Sequence, residues 1–221
     1  MSKQEIVIPP LSKPLLRGHF HQAAFFFALG ACAMLIASSD SLRECMAALI
    51  YSLSLCGLFG VSALYHRPNW SPEARMWMRR LDHSAIFVLI AGTGTPISLL
   101  AIPNEGGLRL LTIIWIAAAV GVMQSLFWVK APKWLAVILY IVMGWLAVPY
   151  MPEISRALGS LSVWLLLVGG VIYTIGALIY GFKKPNPFPK YFGYHEIFHI
   201  LVIIAAAFHF VVIAMLMRSS L

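Results

Sequence analysis

Three segments of this sequence place serine, aspartate and histidine at spacings that suit metal-assisted chemistry. Ser62 and His66 are four residues apart, as are His195 and His199, and Asp82 lies between the two pairs. Residues four apart on an α-helix lie on one face, about one turn from each other. Each pair is therefore predicted to direct both of its side chains the same way.

The histidines form a candidate metal site. His195 and His199 make a chelating pair, and His66 can supply a third nitrogen. Three histidines and a water are typical of catalytic Zn²⁺, whereas structural zinc normally has four protein ligands. We predict that Asp82 holds the water or orients a histidine, and that the Ser62 hydroxyl donates to that water or to a developing oxyanion. Three imidazoles also suit iron or nickel.

The composition indicates that membrane-spanning helices must position these residues. Of the 221 residues 61% are hydrophobic and only 11% are charged, whereas soluble domains are about 45 to 50% apolar and about 25% charged. Such a chain is not a disordered, disulfide-stabilised or nucleic-acid-binding protein. The expected partners are the lipid bilayer and a membrane lipid or lipid-like substrate, with no nucleic acid.

Seven stretches are apolar for long enough to cross a bilayer, which takes about 20 helical residues. They are residues 20–37, 46–66, 82–102, 108–128, 134–151, 161–181 and 195–217. We predict an all-α membrane protein with one seven-helix transmembrane domain over residues 1–221, preceded by a tail of residues 1–19. The tail lacks the apolar core of a signal peptide.

The basic residues predict the orientation. Twelve of the 16 Lys and Arg residues fall in the tail and in the loops after spans two, four and six. Because cytoplasmic loops carry the Lys and Arg excess, we predict a cytoplasmic N-terminus and an outside C-terminus. The ends of the spans that carry the candidate site residues are then cytoplasmic.

Several of these residues have simpler interpretations. Asp82 could pair with Arg79 or Arg80 at the membrane interface, and Ser62 could bond to the carbonyl of Leu58. The other four histidines and Glu196 are interpreted as lying outside the metal site. His83 and Glu196 are expected off the metal-facing stripe, His19 and His21 at the membrane interface, and His209 as a hydrogen-bonded core residue.

Two further motifs have alternative interpretations. The sequence from His195 to His199 matches HExxH, in which a glutamate is the general base of a metalloprotease, but no Asp or Glu follows His199. The stretch Ala91-Gly-Thr-Gly-Thr-Pro96 predicts close helix packing with a kink, and the alternative is a moving gate or substrate portal.

The sequence resembles the hemolysin III-like branch of the PAQR (progestin and adipoQ receptor) family, in a superfamily that includes alkaline ceramidases. The resemblance rests on Ser62-Ala-Leu-Tyr-His66, on Leu81-Asp-His83 with Ala91 to Pro96, and on Phe192-Gly-Tyr-His-Glu-Ile-Phe-His199. Many members carry an acidic, Asn-containing segment ending in Thr-His before the first span, whereas this chain reads Leu16-Arg-Gly-His-Phe-His-Gln22.

The resemblance implies a zinc site on the intracellular side, with His66, His195 and His199 as ligands, Asp82 holding the water and Ser62 in support. It also implies a bacterial inner-membrane protein that acts in lipid homeostasis. The implied function is zinc-dependent hydrolysis of a lipid amide or ester. The alternatives are a receptor or sensor with structural zinc, a pore-forming cytolysin and an intramembrane protease. The substrate, any protein partner and the oligomeric state stay open.

Overall fold

The computed structural model describes residues 13–128 and 131–218, and these residues are almost entirely helical. Residues 1–12 of the predicted tail, and Lys130 among the counted basic residues, lie outside the described residues. The α-helices are α1 (His19–Ala37), α2 (Leu42–His66), α3 (Pro72–Pro96), α4 (Asn104–Phe127), α5 (Lys133–Gly144), α6 (Met151–Leu158), α7 (Ser160–Phe182) and α8 (Tyr194–Arg218). A π-helical segment, Ile97–Ala101, extends α3, and a 3-10 turn, Val148–Tyr150, joins α5 to α6.

Seven helical stretches within the described residues are long and apolar enough to cross a membrane. This finding confirms the predicted all-helical, seven-span architecture. Large apolar side chains cover much of the outer surface, and Phe27, for example, is 82% exposed. Such a surface suits acyl chains as the surrounding solvent.

The third helix begins well before the apolar stretch that predicted it. Ser71 accepts a hydrogen bond from the N–H of Ala74, and Pro72 occupies the first turn. Both residues are helix start signals. Because hydropathy detects only the apolar part of a helix, the predicted span started at residue 82. Asp82 instead lies about three turns into the helix.

The fifth span is broken. α5 ends at Gly144, a 3-10 turn contains Pro149, and α6 has Pro152 in its first turn. Proline lacks an N–H and its ring clashes with the preceding turn, so a straight helix cannot continue through this region. Together α5 and α6 form one membrane-crossing stretch that ends at Leu158.

Helix α3 packs closely against its neighbours, as its small residues predict. A Cβ atom on Gly92 would lie 2.0 Å from the Oγ of Ser54 in α2, and one on Gly94 would lie 2.7 Å from Ile114 in α4. The regular helix ends at Pro96, where the π-helical segment begins. These contacts fix α3 against α2 and so set the separation between Asp82 and His66.

The helix order brings three distant parts of the chain together. Consecutive helices pack from α1 to α4, α7 packs on α8, and α8 also contacts α1 and α3. The C-terminus of α2 and the N-terminus of α8 consequently lie at the same end of the bundle. We call this end, which carries His66 and His195, the histidine end.

Candidate metal centre

The structure brings the three predicted ligand histidines together. His66 is the last residue of α2, while His195 and His199 lie in the first two turns of α8. The Nε2 atoms of His66 and His195 are 3.1 Å apart, and one ring nitrogen from each of the three residues lies within 4.8 Å of the others. The three side chains are buried, with 7%, 9% and 2% exposed for His66, His195 and His199. They form a buried group that could hold a metal ion.

The donors suit a divalent transition metal. Two nitrogens bound to one tetrahedral zinc ion at 2.0 to 2.1 Å lie about 3.3 Å apart, close to the observed separation of His66 and His195. Within the described protein, the Nδ1 atom of His199 is buried without a hydrogen-bond partner. A buried polar atom of this kind is costly unless a ligand satisfies it. Imidazole donors suit zinc, iron and nickel, so the residues fit a bound ion.

Asp82 and Ser62 lie beside the histidine group. The Oδ2 atom of Asp82 is 3.9 Å from Nε2 of His66 and 3.9 Å from Nδ1 of His83. Ser62 lines the same cavity as Asp82 and His199. In the described part of the chain, Asp82 makes no ion pair with Arg79 or Arg80, and its close nitrogen neighbours are those of the two histidines. A gap of this size between polar atoms is compatible with a bridging water.

Glu196, the glutamate of the HExxH sequence, does not belong to the histidine group. One of its carboxylate oxygens accepts the N–H of Gly193 at 2.8 Å, and the other is paired with Arg17. A glutamate that bonds back to the N–H just before its helix makes one half of a capping box. Because both oxygens are engaged, Glu196 fixes the start of α8 and thereby the positions of His195 and His199.

The segment before α1 lies across the histidine end. The N–H groups of Leu15 and Leu16 donate to the carbonyls of Lys190 and Tyr191 in the α7–α8 loop. Gly18 has a φ of +83°, and a Cβ atom there would lie 2.8 Å from the Cβ of His66. Only glycine combines that backbone conformation with such a close approach. The segment therefore packs directly against a predicted metal ligand.

His21 is a residue that the sequence interpretation misplaced. It is 2% exposed rather than interfacial, and its ring stacks on that of His199 with centroids 3.8 Å apart and planes 4° apart. The nitrogen lone pairs of an imidazole lie in the plane of its ring, and the two ring planes are parallel and stacked, so His21 and His199 cannot both point at one ion in this arrangement. His21 thus packs against a predicted ligand instead of joining the three.

A sequence signal for this arrangement existed. Residues two apart on a helix lie on nearly opposite faces, so His19 and His21 could not both point away from the bundle. The structure separates them in this way. An Nη1 atom of Arg67 lies 2.6 Å from Nε2 of His19, while His21 points into the bundle.

Substitution of His21 should weaken metal binding only when the flat ring is lost. We expect His21→Ala to lower zinc affinity by roughly 10- to 100-fold, the usual cost of removing a residue that orients a ligand. His21→Phe preserves the stacked ring and should stay within about threefold of wild type. Competition against a metal-chelating dye measures both affinities, and His19→Ala is the matched control. Equal losses in the Phe and Ala variants would show that a His21 nitrogen is needed instead.

A cavity of about 150 Å³ leads from the histidine end into the bundle. Asp82, His195 and His199 line one end, and His209 and Met151 line it deeper inside. His209 follows His195 by about four turns, so α8 alone lines roughly 21 Å of it. Most of the other lining side chains are apolar. The Nε2 atom of His209 is hydrogen-bonded to the carbonyl of Leu166 at 3.2 Å, as predicted for a core histidine.

These features define a multi-pass membrane protein with a buried three-histidine group at the mouth of an apolar cavity. The Haemolysin-III related family matches residues 10–210, and the chain belongs to that family. This confirms the resemblance to the hemolysin III-like branch of the PAQR family.

The chain is similar to curated proteins from bacteria and mammals. It is 34% identical to Hemolysin-3 of Bacillus cereus over 73% of this chain and 70% of that protein. It is also 34% identical to the Hemolysin-3 homolog of Bacillus subtilis (strain 168), over 70% of this chain and 69% of that protein. Monocyte to macrophage differentiation factor of Homo sapiens is 26% identical over 83% of this chain and 75% of that protein.

Proposed function

We propose that this protein is a zinc-dependent hydrolase that cleaves an amide or ester bond of a membrane lipid. The observation that carries the proposal is the position of the three buried histidines and Asp82 at one end of a long apolar cavity. An acyl chain would lie in the cavity with its scissile bond at the histidine end. The apolar walls of the cavity would exclude water from the rest of the acyl chain.

The chemistry follows from these residues. When bound by His66, His195 and His199, zinc lowers the pKa of a coordinated water to about 7 and polarises a carbonyl. Asp82 accepts a proton from the attacking water at its carboxylate. The Ser62 hydroxyl holds that carboxylate or donates a hydrogen bond to the developing oxyanion.

The proposed location is the cytoplasmic side of the cell inner membrane. The Lys and Arg excess in the even-numbered loops supports an inside N-terminus, and the similarity to proteins of Bacillus supports a bacterial cell membrane. A hydrolase at this site would adjust the lipid composition of its own membrane. We therefore include a role in membrane lipid homeostasis in the proposal.

A receptor or sensor with structural zinc is the second candidate. It is favoured by the origin of the donors, because an ion held by His66 and by the two histidines of α8 would tie together helices from the two halves of the chain. Fully zinc-loaded protein without turnover on any lipid would support this candidate.

The name of the Bacillus relatives suggests a third candidate, a pore-forming cytolysin. An aqueous pore needs a polar path through the membrane, whereas the cavity described above has mostly apolar walls. Conductance in planar bilayers that survives removal of zinc would favour a pore.

The proposed function is tested with purified protein in lipid nanodiscs. We expect hydrolysis of at least one amide- or ester-linked lipid in a broad panel, detected by mass spectrometry of the released acyl chain. A chelator should abolish the turnover, and added zinc should restore it. The matched control is His199→Ala protein purified in the same way, which excludes a contaminating hydrolase. Turnover that is identical in the variant, or absent from loaded wild type, would contradict the proposal.

A further inference from the structure

A second, smaller cavity lies beside the histidine end, between α3, α4, α5 and α7. Its polar lining residues come from all four helices, and they are Arg79, Arg80, His83, Gln124, Ser125, Lys133 and Tyr180. None of its lining residues is Asp or Glu. The cavity is therefore basic, and the proposed hydrolysis does not use it.

The three cations of this cavity have no carboxylate partner among the described residues. The ammonium group of Lys133 lies 4.9 Å from the ring centroid of Tyr180, and the guanidinium of Arg80 lies 4.4 Å from the ring of Trp77. Such contacts with aromatic faces are weaker than a close ion pair. The carboxylate of Asp82, on the same helix, is directed at His66 and His83. An uncompensated positive charge of this size favours an anionic ligand.

Two buried polar atoms in the cavity also need partners. Nε of Arg80 and Oε1 of Gln124 are buried without a hydrogen-bond partner within the described protein. Arginine presents its N–H groups in a planar fork that matches a phosphate oxygen pair. A phosphate group would satisfy the Arg80 donor that the protein leaves unpaired.

The cavity lies at the depth expected of lipid headgroups. Trp128 lines it, and Trp77, Trp128 and Trp134 are 55%, 54% and 62% exposed around it. Exposed tryptophans concentrate at the membrane–water interface. The cavity volume of about 30 Å³ admits a group the size of a few waters but no nucleoside base.

We propose that this cavity binds a phosphate group, supplied by the headgroup of an anionic phospholipid in the adjacent leaflet. Basic pockets between transmembrane helices are common sites for such headgroups. His83 and Tyr180 line both cavities, and their contact, with Nε2 and the hydroxyl 3.2 Å apart, forms part of the wall between them. The headgroup site thus adjoins the larger cavity but does not depend on hydrolysis there.

Native mass spectrometry of protein extracted from mixed nanodiscs tests the proposal, with phosphatidylglycerol and phosphatidylcholine as the competing lipids. The pocket variant is Arg79→Gln/Arg80→Gln/Lys133→Gln. The control variant is Arg75→Gln/Lys184→Gln/Lys190→Gln, which removes the same charge from exposed positions at the same end. We expect wild type and control to retain one phosphatidylglycerol molecule preferentially, and the pocket variant to lose this preference by roughly 10- to 100-fold.

Two further measurements identify the source of the bound phosphate group and show whether a variant loses the lipid only because it is misfolded. Inorganic phosphate is titrated in lipid-free detergent while intrinsic tryptophan fluorescence is followed, and the same titration of Trp128→Phe shows which part of the signal comes from Trp128. Phosphate binding that needs the pocket cations, together with no retained phosphatidylglycerol, would overturn the lipid source. Arg80→Lys keeps the charge and loses the fork, and it should weaken retention several-fold with an unchanged melting temperature. Equal lipid loss in the pocket and control variants, or full retention in all of them, would overturn the site itself.

Discussion

Purified wild-type protein should contain about one zinc ion per chain, and His199→Ala should contain almost none. The three donor nitrogens lie within 4.8 Å of one another, so removing one leaves only two imidazoles, and zinc sites normally need at least three protein ligands. The loss should exceed the roughly 10- to 100-fold that removal of an orienting residue costs. Elemental analysis of protein purified without added metal measures the content directly.

The matched control for this experiment is His209→Ala. It removes an imidazole from the same helix and the same cavity, but from about four turns deeper, where the ring bonds to the carbonyl of Leu166. We expect full zinc content in that variant. Helix content and melting temperature show whether each variant is folded. Stoichiometric zinc in folded His199→Ala, or iron or nickel in place of zinc in wild type, would contradict the assignment.

The histidine group was predictable because it rests on local spacing and on membrane depth. The four-residue spacing of His195 and His199 fixes a common face without knowledge of the fold. The depth of a residue in the membrane is set by its position along its span, and the spans are readable from hydropathy. His66 and the α8 pair could therefore be placed at one end of the bundle, although 129 residues separate His66 from His195.

The contacts of Arg17 and His21 with α8 were not predictable in the same way. The stack of His21 on His199 depends on how α1 packs against α8, which is a contact between the two ends of the chain. The pairing of Arg17 with Glu196 also depends on it. The spacing of His19 and His21 indicates that one of the two is buried, but the sequence does not identify the partner in either contact. The sequence interpretation placed both His19 and His21 at the membrane interface because they open the first span.

The helix boundaries show where apolar patterning stops being informative. Ser71 and Pro72 start α3 in a polar stretch. Hydropathy therefore located the apolar part of this helix but not its beginning. In the fifth span the apolar residues continue through Pro149 and Pro152 although the helix does not. Backbone chemistry, not hydropathy, decides both cases.

The contacts of Glu196 argue against the intramembrane metalloprotease that its HExxH sequence would suggest. A protease of that class needs the glutamate free to act as a base beside the ion. Here the carboxylate is 1% exposed, is paired with Arg17 and caps α8. Among the described residues, the carboxylate that lies next to the histidine group is that of Asp82, which comes from a different helix. Proton transfer is therefore assigned to Asp82 in the proposed reaction.

Asp82→Asn should abolish lipid hydrolysis while zinc stays bound. The substitution keeps the side-chain shape but removes the group that accepts the proton. A general base typically contributes 10²- to 10⁴-fold, so we expect the kcat to fall by about that factor with little change in KM. Rates on the best substrate of the lipid panel, measured beside zinc content, give both readouts.

Glu196→Gln provides the opposing test. Its amide oxygen can still accept the N–H of Gly193, but the ion pair with Arg17 is weakened, so we expect a lower melting temperature and a kcat within a few-fold of wild type. An intramembrane protease would give the reverse pattern, with peptide cleavage lost in Glu196→Gln and preserved in Asp82→Asn. A wild-type rate in zinc-loaded Asp82→Asn would remove Asp82 from the mechanism, because no step could then require its carboxylate.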